Sequence, residues 1–212
     1  MRKCIIIAPL YGGEEQSWLK KEEGDLVLCA DGGYEAAVRY GIEPDLVIGD
    51  FDSMADADAA PACDVIRLPV HKDDTDMLVC IRKGRARGYR RFLMAGCIGG
   101  RLCHTIANLQ CLYDCALRGE EAWMCDGQNR VTVLTPGEHV IPRMEGRHLS
   151  LLAYTPEVKN VTLRGTVWEL EGAALDNRYP IGVSNEFAAD AATLSFGEGA
   201  VILVLAGDAV GA

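Results

Sequence analysis

Up to about Arg130 the chain alternates between short apolar runs and longer stretches of helical period. Cys4–Ala8 and Leu26–Ala30 contain no polar position, and Asp45–Ile48, Val65–Leu68 and Arg91–Ala95 are further strand candidates of the same short length. Runs without in–out alternation mark strands buried on both faces. Between them the period lengthens. Helices are predicted over about Gly33–Tyr40, with Gly41 as a left-handed terminator, over about Asp74–Arg87, and over about Arg101–Leu117, closed by Gly119. In the third helix Leu102, Ile106, Leu109, Leu112 and Ala116 recur at three- and four-residue spacing. Strands separated by helices imply a parallel sheet with helices on its faces.

Beyond about Arg130 no long helical period appears. Pro136, Pro142 and Pro156 punctuate short runs such as Leu149–Ala153, Val158–Leu163, Thr193–Phe196 and Val201–Leu205, which reads as a small antiparallel β domain. The expected organisation is therefore an α/β domain over 1–134 and a smaller all-β, sandwich-like domain over 135–212, with a linker near Thr135–Gly137. No internal repeat or low-complexity segment is present.

Composition narrows the partners. At 49% hydrophobic and 25% charged residues over 212 positions, wholesale disorder is excluded. Acids outnumber bases 31 to 21, giving a net charge of −10. No basic cluster offsets this, so a nucleic acid bound by phosphate neutralisation is a poor fit. An anionic substrate would instead need a divalent cation. Ile5–Ala8 is too short for a secretory signal, and Ala200–Ala206 falls far below the roughly 20 residues of a membrane helix, so a cytoplasmic protein with no membrane partner is expected. The nine cysteines are odd in number and read as reduced, buried thiols. On that reading the sequon at Asn160–Thr162 carries no message.

The candidate chemistry lies in three clusters. Asp31 stands before Gly32–Gly33 at the end of a predicted strand, and Asp50 and Asp52 stand in G-D-F-D-S at the end of another. Ligands of open parallel sheets bind beyond these strand ends. Two carboxylates about 4 Å apart repel by roughly 4 kcal/mol at an effective dielectric of 20. A Mg²⁺ between them would offset that cost, and Mg²⁺ favours one or two carboxylates together with substrate phosphates. Plain turn chemistry would also use Asp and Ser here. The second cluster, K-D-D-T-D at Lys72–Asp76, opens a helix. Asp73, Asp74 or Thr75 would serve as its cap, and Asp76 is a third candidate carboxylate for the same metal. The third, G-C-I-G-G-R-L-C-H at Gly96–His104, leads from a strand into a helix. Glycines before a helix N-terminus suit an anion, and Arg101 adds a guanidinium fork. His104 reads equally as a packed histidine. A zinc site from Cys97, Cys103, His104, Cys111 and Cys115 lacks C-x-x-C spacing and ranks below buried thiols. The P-loop and dinucleotide signatures are absent.

Taken in order, A-D-G-G (Ala30–Gly33), P-D-L-V-I-G-D-F-D-S (Pro44–Ser53), K-D-D-T-D (Lys72–Asp76), G-G-R-L-C-H-T-I-A-N (Gly99–Asn108), G-T-V-W-E-L (Gly165–Leu170) and G-V-S-N-E-F (Gly182–Phe187) resemble the thiamin pyrophosphokinase family. The resemblance implies an N-terminal α/β domain, a C-terminal β-sandwich domain, and a homodimer with active sites between subunits. It implies transfer of pyrophosphate from ATP to the hydroxyl of thiamine, giving thiamine diphosphate and AMP. On it, Asp50, Asp52 and Asp76 hold Mg²⁺ with Asp31 close by, and Thr75, Gly99, Gly100, Arg101 and Asn108 surround ATP. Trp168 packs on the thiamine ring, and Ser184 and Asn185 hydrogen-bond it. Without the resemblance Trp168 reads as a core aromatic. One position departs: the family's G-G-R-x-D-H has Cys103 in place of the aspartate, which leaves a related transfer to another heterocyclic alcohol, or a non-catalytic thiamine- or nucleotide-binding module, as alternatives.

Overall fold

The computed structural model of the chain describes residues 2–13, 19–49, 63–69 and 73–208. It divides into two compact units, Met1–Gly127 and Gln128–Ala212. Thr135 and Pro136 form the turn between two strands of the second unit, and Gly137 opens the second of these strands.

The first unit is a parallel sheet. Its strands are β1 (Cys4–Ile7), β2 (Leu26–Ala30), β3 (Leu46–Gly49), β4 (Asp64–Arg67), β5 (Arg91–Ala95) and β6 (Glu121–Cys125), paired in the order β4-β3-β2-β1-β5-β6. Strand β6 lies beyond those the apolar pattern predicts. The helices are α1 (Gly33–Arg39), α2 (Asp76–Ala86) and α3 (Leu102–Leu117). The uniform apolarity of β1 now has its reason, since both faces are covered. Ile5, Ile7, Val27, Cys29, Val47 and Ala95 point to one side and pack with Ala36 and Ala37 of α1. On the other side α2 lies so close that a Cβ on its Gly84 would sit 2.8 Å from Cys4 Sγ and 2.9 Å from Phe92. Such an approach requires glycine.

Helix α3 corrects its apolar pattern. Leu102 and Ile106 are 71% and 50% exposed, and the buried residues are Asn108, Cys111, Leu112 and Cys115. The thiols serve as the small apolar side chains of the inner face. Burial pushes the thiols of Cys4, Cys29 and Cys115 up to about 12, so they stay protonated and chemically quiet. Among the described residues no helix is long and apolar enough to cross a membrane.

The second unit is antiparallel. β7 (Asn129–Leu134), β13 (Val201–Gly207) and β9 (Arg147–Ala153) form one ladder. β11 (Leu170–Asp176), β10 (Glu157–Arg164), β12 (Ala191–Phe196) and β8 (Gly137–Pro142) form a four-stranded sheet. Here the burial alternates: Val201, Leu203 and Leu205, and Ala192, Leu194 and Phe196, are buried while their neighbours are not. Asn160 of the sequon occupies the left-handed region, φ 57°, within the register shift of β10 between Val158 and Val161.

The N-terminal strand is anchored by Asp25. Its buried carboxylate accepts from the backbone amides of Lys3 (2.7 Å) and Glu22 (3.0 Å) and pairs with Lys3 Nζ (2.7 Å). Burial alone would raise its pKa, but Lys3 and the two amides outweigh it and hold the carboxyl below the usual carboxylate range. Asp25→Asn is therefore expected to lower stability at pH 7 by about 2 kcal/mol. The folded protein binds this proton less readily than the unfolded chain. The contribution is thus complete above the unfolded value near 4 and fades as pH falls through the folded one. Denaturant titrations of both proteins at pH 7 and pH 3 should show the gap closing in acid, and a gap independent of pH would contradict the assignment.

Candidate active site

In the first unit the chain ends of three neighbouring strands open into one cleft of about 350 Å³. β1 contributes Ala8–Leu10, β2 contributes Asp31, and β5 contributes Gly96 and Cys97. The N-terminal ends of α2 and α3 close it, with Thr75, Asp76 and Met77 from the first and Gly99, Gly100, Arg101, His104 and Asn108 from the second. The strand order makes this the place where the sheet's growth reverses: β2, β3 and β4 extend one way from β1, and β5 and β6 the other. Such switch points are where open α/β sheets bind ligands.

The loop before α3 is held from behind. Gly96 has φ 69°, and a Cβ there would meet the backbone N of Tyr11 at 2.1 Å, so only glycine fits. Gly99 and Gly100 follow with φ 100° and 60°. Thr105 Oγ1 accepts from Gly99 N (3.1 Å) and donates to Gly99 O (3.3 Å). Asn108, buried, donates from Nδ2 to Cys97 O (2.9 Å). Thr105, which ties the Gly99 turn to the helix, is a residue of this loop that the sequence reading missed. A hydroxyl on the first turn of a helix, following a Gly-Gly pair, was the available signal.

Among the described residues lining the cleft, the guanidinium is that of Arg101. Its Nη2 contacts His104 Nε2, which requires that nitrogen to accept. Both residues are exposed, so His104 is not a packed core histidine. At α2 the capping question resolves onto Thr75, whose Oγ1 accepts from Leu78 N (3.2 Å). Asp74 instead pairs with Arg82. Asp76 is the first residue of the helix, where a negative charge meets the positive end of the dipole. Asp31 sits at φ 47°, its amide bonded to Ile48 O (2.7 Å). Gly49 packs on it, for a Cβ there would lie 2.9 Å from the Asp31 Cα.

The sequence candidates Asp31, Thr75, Asp76, Gly99, Gly100, Arg101 and Asn108 thus share one cleft. Asp50 and Asp52, with Lys72 of the second motif, lie outside the described residues. Among the described residues no group of three or more His, Cys, Asp or Glu is arranged to hold a metal. Of the expected ligand set, Asp76 is described, and with Asp31 on the same cleft it supplies hard carboxylate oxygens of the kind Mg²⁺ prefers. Cys97, Cys111 and Cys115 are buried, and burial pushes the Cys97 thiol well above its ordinary value. Cys103 is exposed and is not among the residues lining the cleft.

The second unit holds the remaining candidates on two adjacent loops. Trp168 is 59% exposed, so it is not a core aromatic. Its backbone, by contrast, is fixed: Asn185 Oδ1 accepts from Trp168 N (3.1 Å), and Trp168 O accepts from Asn185 Nδ2 (2.7 Å) and Thr166 Oγ1 (3.1 Å). Asn185 is buried, whereas Ser184 is exposed at φ 60°, its amide donating to Ser150 Oγ (2.9 Å).

Comparison with known proteins agrees across both units. Residues 18–124 match the family model of the thiamin pyrophosphokinase catalytic domain, and residues 138–201 match that of the thiamin pyrophosphokinase vitamin B1 binding domain. The chain is 27% identical over 205 residues to the thiamine pyrophosphokinase of Bacillus subtilis (strain 168), covering 93% of this chain and 91% of that one. The crystal structure of thiamine pyrophosphokinase from Bacillus subtilis matches with a TM-score of 0.88 at 25% identity over 99% of this chain and 100% of that one. That of thiamin pyrophosphokinase from Geobacillus thermodenitrificans matches with 0.85 at 25% identity over 99% of each.

The thiol pattern gives a direct test of the packing beside the cleft. Maleimide labelling of the native protein, read by mass spectrometry, should modify Cys103 first and half-buried Cys63 more slowly, with the seven buried cysteines reacting only after denaturation. Rapid native labelling of Cys111 or Cys115 would contradict the placement of the inner face of α3.

Proposed function

The chain belongs to the thiamin pyrophosphokinase family, and from that premise we propose that it transfers a pyrophosphoryl group from ATP to the hydroxyethyl oxygen of thiamine, giving thiamine diphosphate and AMP. The observation that carries this reading is the cleft at the switch point, where an acidic pair, a guanidinium, a Gly-Gly turn and two helix N-termini converge. A pure anion site has no use for carboxylates, and a pure cation site has no use for Arg101. Together they suit a polyphosphate carried with a divalent ion.

In this reading the phosphates lie over Gly99–Gly100, where glycine leaves the backbone accessible and the α3 N-terminus presents free amides. Thr105 and Asn108 keep that loop in place from behind. Arg101 binds phosphate oxygens, exchanging its contact with His104 for a charged one. Thr75, whose oxygen is spent on the cap, still has its hydroxyl hydrogen to donate. Asp76, with Asp50 and Asp52, would hold Mg²⁺, with Asp31 alongside. Bound there, the ion supplies neutralisation of phosphate charge. The acceptor oxygen forms a bond to the β-phosphorus, the bond from that phosphorus to the AMP oxygen breaks, and the hydroxyl proton is released. Positioning and electrostatics dominate such a transfer, and little covalent work falls to side chains.

Trp168 is the acceptor's platform. An exposed indole on a fixed backbone suits a flat, cationic aromatic ring. The family resemblance supports a cytoplasmic homodimer as the working form, and the net charge of −10 speaks against a nucleic-acid partner. Cys103 does not line the cleft, so the loss of the family's aspartate there leaves the described donors of the site in place.

Purified protein incubated with ATP, Mg²⁺ and thiamine should yield AMP and thiamine diphosphate in equal amounts. Asp76→Asn and Asp52→Asn should each reduce kcat about a hundredfold, the scale on which loss of one electrostatic group acts in such sites. Cys103→Asp should change kcat by no more than about threefold, less than 1 kcal/mol of barrier. ADP with thiamine monophosphate as products would replace this reading with a single-phosphate transfer. Calorimetric thiamine binding without turnover would replace it with a binding module.

A further inference from the structure

We propose that Asn185 is a positioning residue, which fixes the backbone of Trp168 and thereby holds the indole for thiamine; the inference rests on the reading of Trp168 as the acceptor's platform. The family resemblance would have Asn185 bond the ligand itself. Its hydrogen-bond inventory points elsewhere.

A side-chain amide has two acceptor lone pairs and two N–H donors. Both lone pairs of Asn185 Oδ1 are used, by Trp168 N at 3.1 Å and Glu186 N at 2.8 Å. One N–H is used, on Trp168 O at 2.7 Å. The orientation of the amide follows from its partners, because two backbone N–H groups face one atom and a carbonyl faces the other. What remains is a single N–H on a residue that is only 8% exposed. Asn185 is itself anchored, exchanging both backbone bonds with Leu149 of β9 at 2.8 Å each. The Trp168 loop is thus tied through one amide to a core strand. A second tie runs from Thr166, buried, whose Oγ1 donates to Trp168 O at 3.1 Å. Val167 N bonds Glu186 O at 2.9 Å, completing the seam.

An exposed indole loses affinity for a flat ring if its backbone wanders, because stacking requires the ring to be preset. Removing the amide of Asn185 should therefore act on thiamine only through Trp168. A double-mutant cycle isolates this. Steady-state kinetics would be measured for Trp168→Ala, Asn185→Ala and the double variant, varying thiamine and ATP separately. Trp168→Ala is expected to raise the KM for thiamine about tenfold, within the range of aromatic and cation–π contacts. Asn185→Ala should raise it about fivefold, with the KM for ATP and kcat within twofold, and the double variant should match Trp168→Ala alone.

Multiplied effects in the double variant would mean that Asn185 binds thiamine directly and would overturn the proposal. So would an unchanged thiamine KM in Asn185→Ala beside a raised one in Trp168→Ala. An unchanged KM in Trp168→Ala would remove the platform reading, and the proposal with it. If Asn185→Ala fails to fold, the near-isosteric Thr166→Val removes only the second tie. It should raise the thiamine KM about twofold, and leave it unchanged in the Trp168→Ala background. No rise in the first case, or the same rise in both, would overturn the proposal.

Discussion

The first unit depends on one strand that has no free edge and no free face. β1 is paired by β2 on one side and by β5 on the other, and Cys4, Ile5, Ile6 and Ile7 are all at most 1% exposed. With β1 at the centre, the strands that follow extend the sheet first in one direction, through β2, β3 and β4, and then in the other, through β5 and β6. That constraint creates the gap at the strand ends. The cleft therefore follows from the order in which strands are laid down, before any catalytic residue is considered.

Both units then solve the same problem. A group that meets ligand has to be reachable, yet it has to stay where it is put. In each case the exposed feature is fixed by polar side chains that bond backbone, with Asn108, Asn185 and Thr166 buried and Thr105 partly buried. Asn108 and Thr105 hold the Gly99–Gly100 turn, and Asn185 and Thr166 hold Trp168. A buried amide with unmet bonds would be costly, so the arrangement is specific: the side chain and its backbone partners satisfy one another or both lose. The buried carboxylate of Asp25 plays the same part for the N-terminal strand.

The sequence disclosed the alternation of strands and helices because strands covered on both faces leave unbroken apolar runs. It disclosed the cleft residues of the first unit because Gly, Asp and Arg at strand ends are poor core material. It did not disclose β6, since E-A-W-M-C mixes an exposed Glu121 with buried positions. It misled on α3, where Leu102 and Ile106 look like core and Cys111 and Cys115 do the packing. Hydropathy alone does not tell an exposed leucine from a buried one. The task of Asn185 was also hidden, because a side chain that bonds backbone seventeen positions away leaves no local pattern.

Asp31 carries a further implication. It is a non-glycine residue in the left-handed region, φ 47°, at the edge of the cleft. That conformation costs a side chain about 1 kcal/mol relative to glycine. Selection for thermal resistance alone would therefore favour Asp31→Gly, which relaxes the backbone and removes a carboxylate from the cleft. A lineage selected for stability without a demand for turnover would drift away from the proposed chemistry at this position, whereas one selected for that chemistry would keep the strained aspartate.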